Sequence, residues 1–305
     1  MLAAASISWT TARADQVILG AARDNTLYEQ KDGLLSNGAG EFMFAGRTEV
    51  LGGGLIRRAV IAFDVAAAVP PDATVTRVEL TLNMSKTIAG PADVELHRVV
   101  GDWGEGKSDA PGQEGGGAPS ERGDATWIHT KFDAERWGSV GGDFVDAVSA
   151  VLSVAGPAFY TWGSTPQMVA DVQGWVDDPD SDFGWALIGD EDFVGTAKRF
   201  DTHDNLIPEN RPQLLIEFQP GACTGGEKLS ARCKNKDPKL DLIKAKLSNG
   251  RDGASVTFRL DGDPNTDVVR SVRRGKAKAK FKGVADGDHV VALLECRVSK
   301  ATTCE

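Results

Sequence analysis

The sequence predicts an all-β protein: a large jelly-roll-like β-sandwich with one or two short helices, followed by a small Ig-like β-sandwich. Three observations carry this expectation. Apolar and polar residues alternate with a period of two in many short runs, and clusters of Pro, Gly and Asp separate those runs. Charge and cysteine content both change near Gln219-Pro220-Gly221, where a Pro-Gly break also falls.

The chain has 305 residues, more than one hydrophobic core usually supports. Residues 221–305 carry 18 Lys and Arg against 11 Asp and Glu, a net of +7, leaving 16 against 33, or −17, for residues 1–220. All four cysteines, Cys223, Cys233, Cys296 and Cys304, lie in the basic segment. The expected organisation is a signal-peptide remnant at 1–14, a β-sandwich at 15–220 and a small disulfide-bearing β domain at 221–305. Ala12-Arg13-Ala14 has the small-x-small pattern of a signal-peptidase site, with Asp15 as first mature residue. An even cysteine cluster in a small terminal module reads as two disulfides, a sign of a secreted or periplasmic protein. Zinc fits the cysteines poorly, because nine and seven residues separate the members of the two sequential pairs. Three connectivities remain open; the local one, Cys223–Cys233 with Cys296–Cys304, would tie down the two ends of the module. No apolar run approaches the roughly 20 residues that cross a bilayer.

Within the large domain Val78, Leu80, Leu82 and Met84 fall on one face of a strand, and Arg77, Glu79, Thr81 and Asn83 on the other. Similar runs occur at Ala59-Ile61-Phe63, Val94-Leu96 and Leu214-Ile216-Phe218. One helix is expected after Ser164-Thr165-Pro166, a cap with an N1 proline, where Met168, Val169, Val172, Trp175 and Val176 make one apolar stripe. A second short helix is expected at 143–152. Residues 101–125 are glycine-rich and read as a long loop of the kind that carries function. In the small domain Val256, Phe258 and Leu260 alternate with polar neighbours, and Ala277, Ala279 and Phe281 alternate with Lys276, Lys278, Lys280 and Lys282. That lysine comb makes a basic face for anionic polysaccharide, a phosphate-bearing surface polymer or an acidic neighbour; its alternative reading is an edge strand protected from aggregation.

The order of features carries a resemblance. Ala22-Arg23-Asp24-Asn25-Thr26-Leu27-Tyr28, FAGRT at 44–48, RRAVIAFDV at 57–65 and the following VPPDATVTRVELTLNM begin the series. DWGEG, TW, YTW, MVADVQGWVDD, FGWALIGDE and RFDTHDN with RPQLLIEF complete it. Together these resemble the DNRLRE-domain family, secreted bacterial and archaeal jelly-roll-like modules akin to carbohydrate-binding modules, over residues 16–218. The resemblance implies a β-sandwich that binds polysaccharide or a cell-surface glycan, as relatives bind alginate. Where the family has a late Ser-Arg-Glu segment, this chain has Asp201-Thr202-His203-Asp204, so no role is carried over to that Arg.

The residue chemistry offers several candidate sites. Exposed Trp rings stack on sugar faces while Arg and carboxylates bond the hydroxyls, so Trp103, Trp127 and Trp137, which border the glycine-rich loop, are ligand candidates with Glu105 and Arg58. Trp162, Trp175 and Trp185 sit in apolar periodic contexts and read as core. A structural Ca2+ is expected at the oxygen-rich Asp178, Asp180 and Asp182 or at Asp24, against an alternative of solvated turns. Gly189-Asp190-Glu191-Asp192 is a similar acidic turn. Catalysis is the rival reading: Glu105, Glu114, Asp190 and Glu191 could pair for glycoside hydrolysis. His97, His129, His203, Arg58 and Arg199 could serve a polysaccharide lyase. No G-x-S-x-G, H-E-x-x-H or P-loop motif is present. The sequence therefore favours a secreted, non-catalytic polysaccharide-binding or cell-surface-associated protein over an extracellular structural or adhesive protein, and both over a polysaccharide-cleaving enzyme. A net charge of −10 argues against a nucleic-acid partner.

Overall fold

The alternating segments become strands, which make up about half of the protein. The computed structural model describes residues 15–49, 54–219, 221–236 and 239–305, and the expected signal-peptide remnant at 1–14 lies outside the described residues. The fold is all-β and antiparallel, in two compact units: Val17–Ala68 with Val75–Ile216, and Val69–Thr74 with Glu217–Glu305 and the first described residues.

The first series of strands is β1 (Asp15–Gly20), β2 (Arg23–Tyr28), β3 (Leu35–Ser36), β4 (Phe42–Arg47), β5 (Ile56–Ala62), β6 (Thr74–Thr87), β7 (Ala92–Val99) and β8 (Ala118–Pro119). It continues with β9 (Phe144–Val154), β10 (Ala158–Trp162), β11 (Trp185–Ile188), β12 (Lys198–Asp201) and β13 (Gln213–Gln219). Neighbouring strands run in the order β1-β13-β6-β12-β4-β5-β11-β7-β9, with β10 beside β6 and β2 beside β5. This ladder curls into a sandwich, and Val78, Leu80, Leu82 and Met84 of β6 point into its core with no exposed surface. Trp162 ties the layers together: its indole donates across the core to Val94 O at 2.9 Å, while its ring lies edge-on to Phe200 of its own sheet.

Helix α1 (Val65–Ala68) is one turn, and α2 (Pro166–Asp177) is the capped helix that the sequence predicts. The Thr165 hydroxyl accepts from Met168 N at 3.0 Å, and Pro166 takes the first helical position. Met168, Val172, Trp175 and Val176 are buried, and the Trp175 and Trp185 ring centroids are 4.5 Å apart. Val169 is only half-buried; Asp171 is buried instead, accepting from Ser149 Oγ at 2.5 Å, Trp185 Nε1 at 3.0 Å and Gln167 Nε2 at 3.0 Å.

The expected second helix at 143–152 is a strand. Val145, Val148 and Val151 have the three-residue spacing of a helix stripe, but the segment pairs with β7 from Ala92↔Val154 to Val99↔Phe144. Val148 and Val151 stay exposed while Ser149, Ala150 and Val154 turn inward, so the β-branched residues follow the ladder and not a helix face.

The glycine-rich segment 101–125 lies outside long strands, as expected, yet it is stitched to the sandwich. Asp124 accepts from Lys107 N and Glu121 N at 2.8 and 2.7 Å, and Gly106, at φ 80°, passes so close that a Cβ would sit 1.4 Å from Asp124 Oδ1. Glu114 accepts from Asn37 Nδ2 and Phe42 N, each at 2.8 Å. β8 pairs with β3.

Among the described residues the smaller unit is a seven-stranded sandwich. One sheet holds β14 (Lys228–Lys236), β15 (Lys239–Ser248) and β18 (Lys276–Val284) in the order β14-β15-β18. The other holds β16 (Ser255–Leu260), β17 (Asp263–Ser271), β19 (Gly287–Leu293) and β20 (Val298–Cys304) in the order β17-β16-β19-β20. Ile243, Leu247, Val256, Phe258, Val291 and Leu293 fill the space between. Two disulfides join distant parts of the unit, Cys223–Cys296 and Cys233–Cys304, so the local pairing is not the one formed. The local arrangement fails because Cys233 lies on β14, within reach of β20, and Cys304 ends that strand.

Candidate functional site

The β14-β15-β18 sheet presents its apolar residues inward, which leaves alternate positions facing solvent. The register sets Lys228, Ser248 and Lys276 in one row across the three strands, Ser230, Lys246 and Lys278 in the next, then Arg232, Lys244 and Lys280, and finally Lys234, Leu242 and Lys282. Leu242 is buried; of the other eleven positions nine are basic and none is acidic. Neighbouring strands are about 4.8 Å apart along the hydrogen-bonding direction, so like charges within a row face each other directly. Among the described residues none of the nine basic side chains enters an ion pair. A groove of about 660 Å³ runs between Arg232, Lys234, Lys244, Lys246, Lys278 and Lys280. The lysine comb on β18 is legible in the sequence; its continuation over β14 and β15 is not, although Lys244 and Lys246 alternate with Ile243, Ala245 and Leu247 in the same manner. β18 ends its sheet, as an edge strand does, but edge protection does not call for cations on the central strand.

The aromatic platform expected in the large unit does not form. Trp103 is fully buried, and Trp127 and Trp137 are 8% and 6% exposed. Their polar edges are occupied internally, Trp103 Nε1 donating to Phe183 O and Trp137 Nε1 to Thr126 O, each at 2.9 Å. Arginines cover two of the faces a sugar would need: the Arg23 guanidinium lies 4.5 Å over Trp103 and that of Arg58 lies 5.0 Å over Trp127. Arg58 is itself committed, donating to both Glu191 oxygens at 2.8 and 2.9 Å and to Gly141 O at 2.9 Å. Loop residues flanked by glycine became core because the segment folds onto the sheet. Trp162, Trp175 and Trp185 are buried, as their apolar context predicts.

The acidic turn after α2 does not gather its carboxylates. Asp178 and Asp180 are exposed on the 3-10 turn Pro179–Ser181, and Asp182 turns inward to accept from Val65 N at 3.3 Å. Burial pushes the Asp182 carboxyl up to about 7. Among the described residues Asp178, Asp180 and Asp182 do not form a group close enough to share one ion, so the expected triple does not assemble. Asp190 caps its own turn, accepting from Asp192 N and Phe193 N.

Three residues from separate expectations do converge: Asp24 on β2, Glu105 in the glycine-rich segment and His203 after β12. His203 Nδ1 is 3.1 Å from Asp24 Oδ2 and 3.4 Å from Glu105 Oε1. The hydrogen bond to Asp24 raises the imidazole to about 9, whereas burial raises the Glu105 carboxyl to about 7 and Asp24 above the usual carboxylate range. Of the other rival catalytic residues, His97 bonds Val145 O and Glu95, and His129 bonds Thr126 Oγ1. Arg199 stacks 3.6 Å over Phe42 and, with Lys86, donates to Gln113 Oε1 beside a cavity of about 290 Å³.

No helix among the described residues is long and apolar enough to cross a membrane. No family model matches the chain, and comparison with curated proteins gives no match either.

Proposed function

We propose that the protein is an exported, non-catalytic binder of anionic polysaccharide that engages its ligand on the outward face of β14, β15 and β18. One observation carries the reading: nine cations share one sheet face with no carboxylate among them. Like charges set opposite each other on a sheet cost stability; a bound polyanion neutralises them and is further favoured by release of its own counterions. The two disulfides fit an oxidising compartment, where surface polyanions are acidic glycans and not nucleic acid. The likeness of residues 16–218 to DNRLRE-domain modules supports the same class of ligand, and the burial of Trp103, Trp127 and Trp137 moves the contact from aromatic stacking to charge. Retention on immobilised alginate but not on neutral dextran tests the reading; equal retention on both, or on neither, would overturn it.

A second reading, an adhesive or structural protein, is favoured by the partition of charge, +7 in residues 221–305 against −17 before them. Opposite patches on one chain can draw copies together. Concentration-dependent, salt-sensitive self-association in sedimentation velocity would support it over the first reading.

A further inference from the structure

We propose that Asp24, Glu105 and His203 form a binding site for a divalent transition-metal ion, with Zn2+ as the probe. The site belongs to the larger unit and does not depend on the polyanion reading. Its donor set is one imidazole nitrogen and two carboxylates, a combination that suits Zn2+ at bond lengths of about 2.0–2.2 Å. Calcium takes six to eight oxygens at longer distances, which this set does not offer. Three ligands also leave a fourth tetrahedral position open.

The spacing already matches a coordination shell. Asp24 Oδ2 and Glu105 Oε1 stand 3.1 and 3.4 Å from His203 Nδ1, and the three ligand atoms lie within 4.8 Å of one another. Neighbouring ligands of a tetrahedral ion at about 2.1 Å are about 3.4 Å apart. An ion can therefore enter with side-chain adjustments alone.

A second observation points to a missing cation. Asp24 is 1% exposed, and its Oδ1 atom has no hydrogen-bond partner. A carboxylate taken from water with one oxygen unsatisfied is costly, and an ion beside it supplies the interaction it lacks. On binding, the dication displaces the proton from His203 Nδ1, and two carboxylates with the resulting neutral imidazole balance its charge.

The surroundings hold each ligand in place as outer shells of metal sites do. Asp24 N donates to Glu105 Oε1 at 2.8 Å, and His203 N donates to Asp24 Oδ2 at 2.9 Å. Asp204 Oδ1 lies 3.7 Å from His203 Nε2, a carboxylate behind the imidazole. Asn25 Nδ2 donates to Glu105 O at 2.6 Å, and Gly38 packs so closely that a Cβ would fall 1.8 Å from that oxygen.

The test is isothermal titration of the full chain, freed of metal by chelator dialysis, with Zn2+ and separately with Ca2+. The expected result is one Zn2+ per chain, bound at least tenfold more weakly by both Glu105→Gln and His203→Gln. The first variant keeps the acceptor for Asp24 N on a partly exposed side chain, so it retains the fold, and circular dichroism verifies this for both. Co2+ should give a visible absorption band on the wild type that both variants lose. The proposal is overturned by absent Zn2+ binding, by equal binding in the folded variants, or by Ca2+ occupying a site that Zn2+ does not compete for.

Discussion

Lys244 stands directly opposite Lys280 across the β15–β18 ladder, and Arg232 faces Lys244 from β14 on its other side. Three cations in one row are a local cost, since like charges across a sheet destabilise it and opposite charges contribute about 0.2–1 kcal/mol. Lys244→Glu places a carboxylate between two cations. It should raise the stability of the free protein by up to about 1 kcal/mol in urea unfolding while weakening polyanion binding at least tenfold. Opposite signs on stability and binding mark a face kept for a ligand; weakening of both would mark a merely structural role.

The crossed disulfides each span more than 70 residues, with separations of 73 and 71. Removing a bridge of that reach from a small domain costs about 2–5 kcal/mol. Replacing Cys233 and Cys304 together by Ala should lower the unfolding free energy of the smaller unit by that amount. Non-reducing peptide mapping of the wild type should recover Cys223 with Cys296 and Cys233 with Cys304.

Asp182 gives a pH signature. Its carboxyl is raised to about 7 in the folded protein by burial, from an ordinary value of 3.8. Between these values the folded state keeps a proton that the unfolded state has released, so stability falls as pH rises from about 4 to 7. Asp182→Asn retains an acceptor for Val65 N and cannot ionise. It should flatten that part of the profile and gain on the order of 1 kcal/mol at pH 7.5, after allowance for solvent screening. Thermal melts across this range measure it, and an unchanged profile would refute the assignment.

Trp103 separates packing from binding. Fully buried beneath Arg23, it should cost roughly 3–5 kcal/mol when changed to Ala, while the protein that remains folded binds polyanion as the wild type does. A loss of affinity at full stability would restore the aromatic site.

Much of the fold was legible because period-two alternation, as in β6 and β16, is set by the geometry of a half-buried strand. The cap of α2 was legible because Thr165-Pro166 satisfies a local rule. Phe144–Val154 misled because valines spaced at three fit either element, and only pairing with β7 decides between them. The tryptophans misled because glycine-rich flanks signal a loop without saying whether the loop folds inward. The convergence of Asp24, Glu105 and His203 spans most of the larger unit and depends on strand order, which no local pattern carries. The cationic rows needed the register: Lys246 beside Lys278 is a fact of the β15–β18 pairing and not of either segment alone.

The most direct test of the central claim is the affinity for alginate as a function of salt, in the wild type and in Arg232→Glu/Lys244→Glu/Lys280→Glu. Contacts with a polyanion make log K fall linearly with log salt, more steeply the more charges are engaged. The wild type should bind with a steep slope, and the triple variant should lose most affinity and most of the slope while remaining folded. Binding that ignores salt, or that survives in the folded triple variant, would contradict the account.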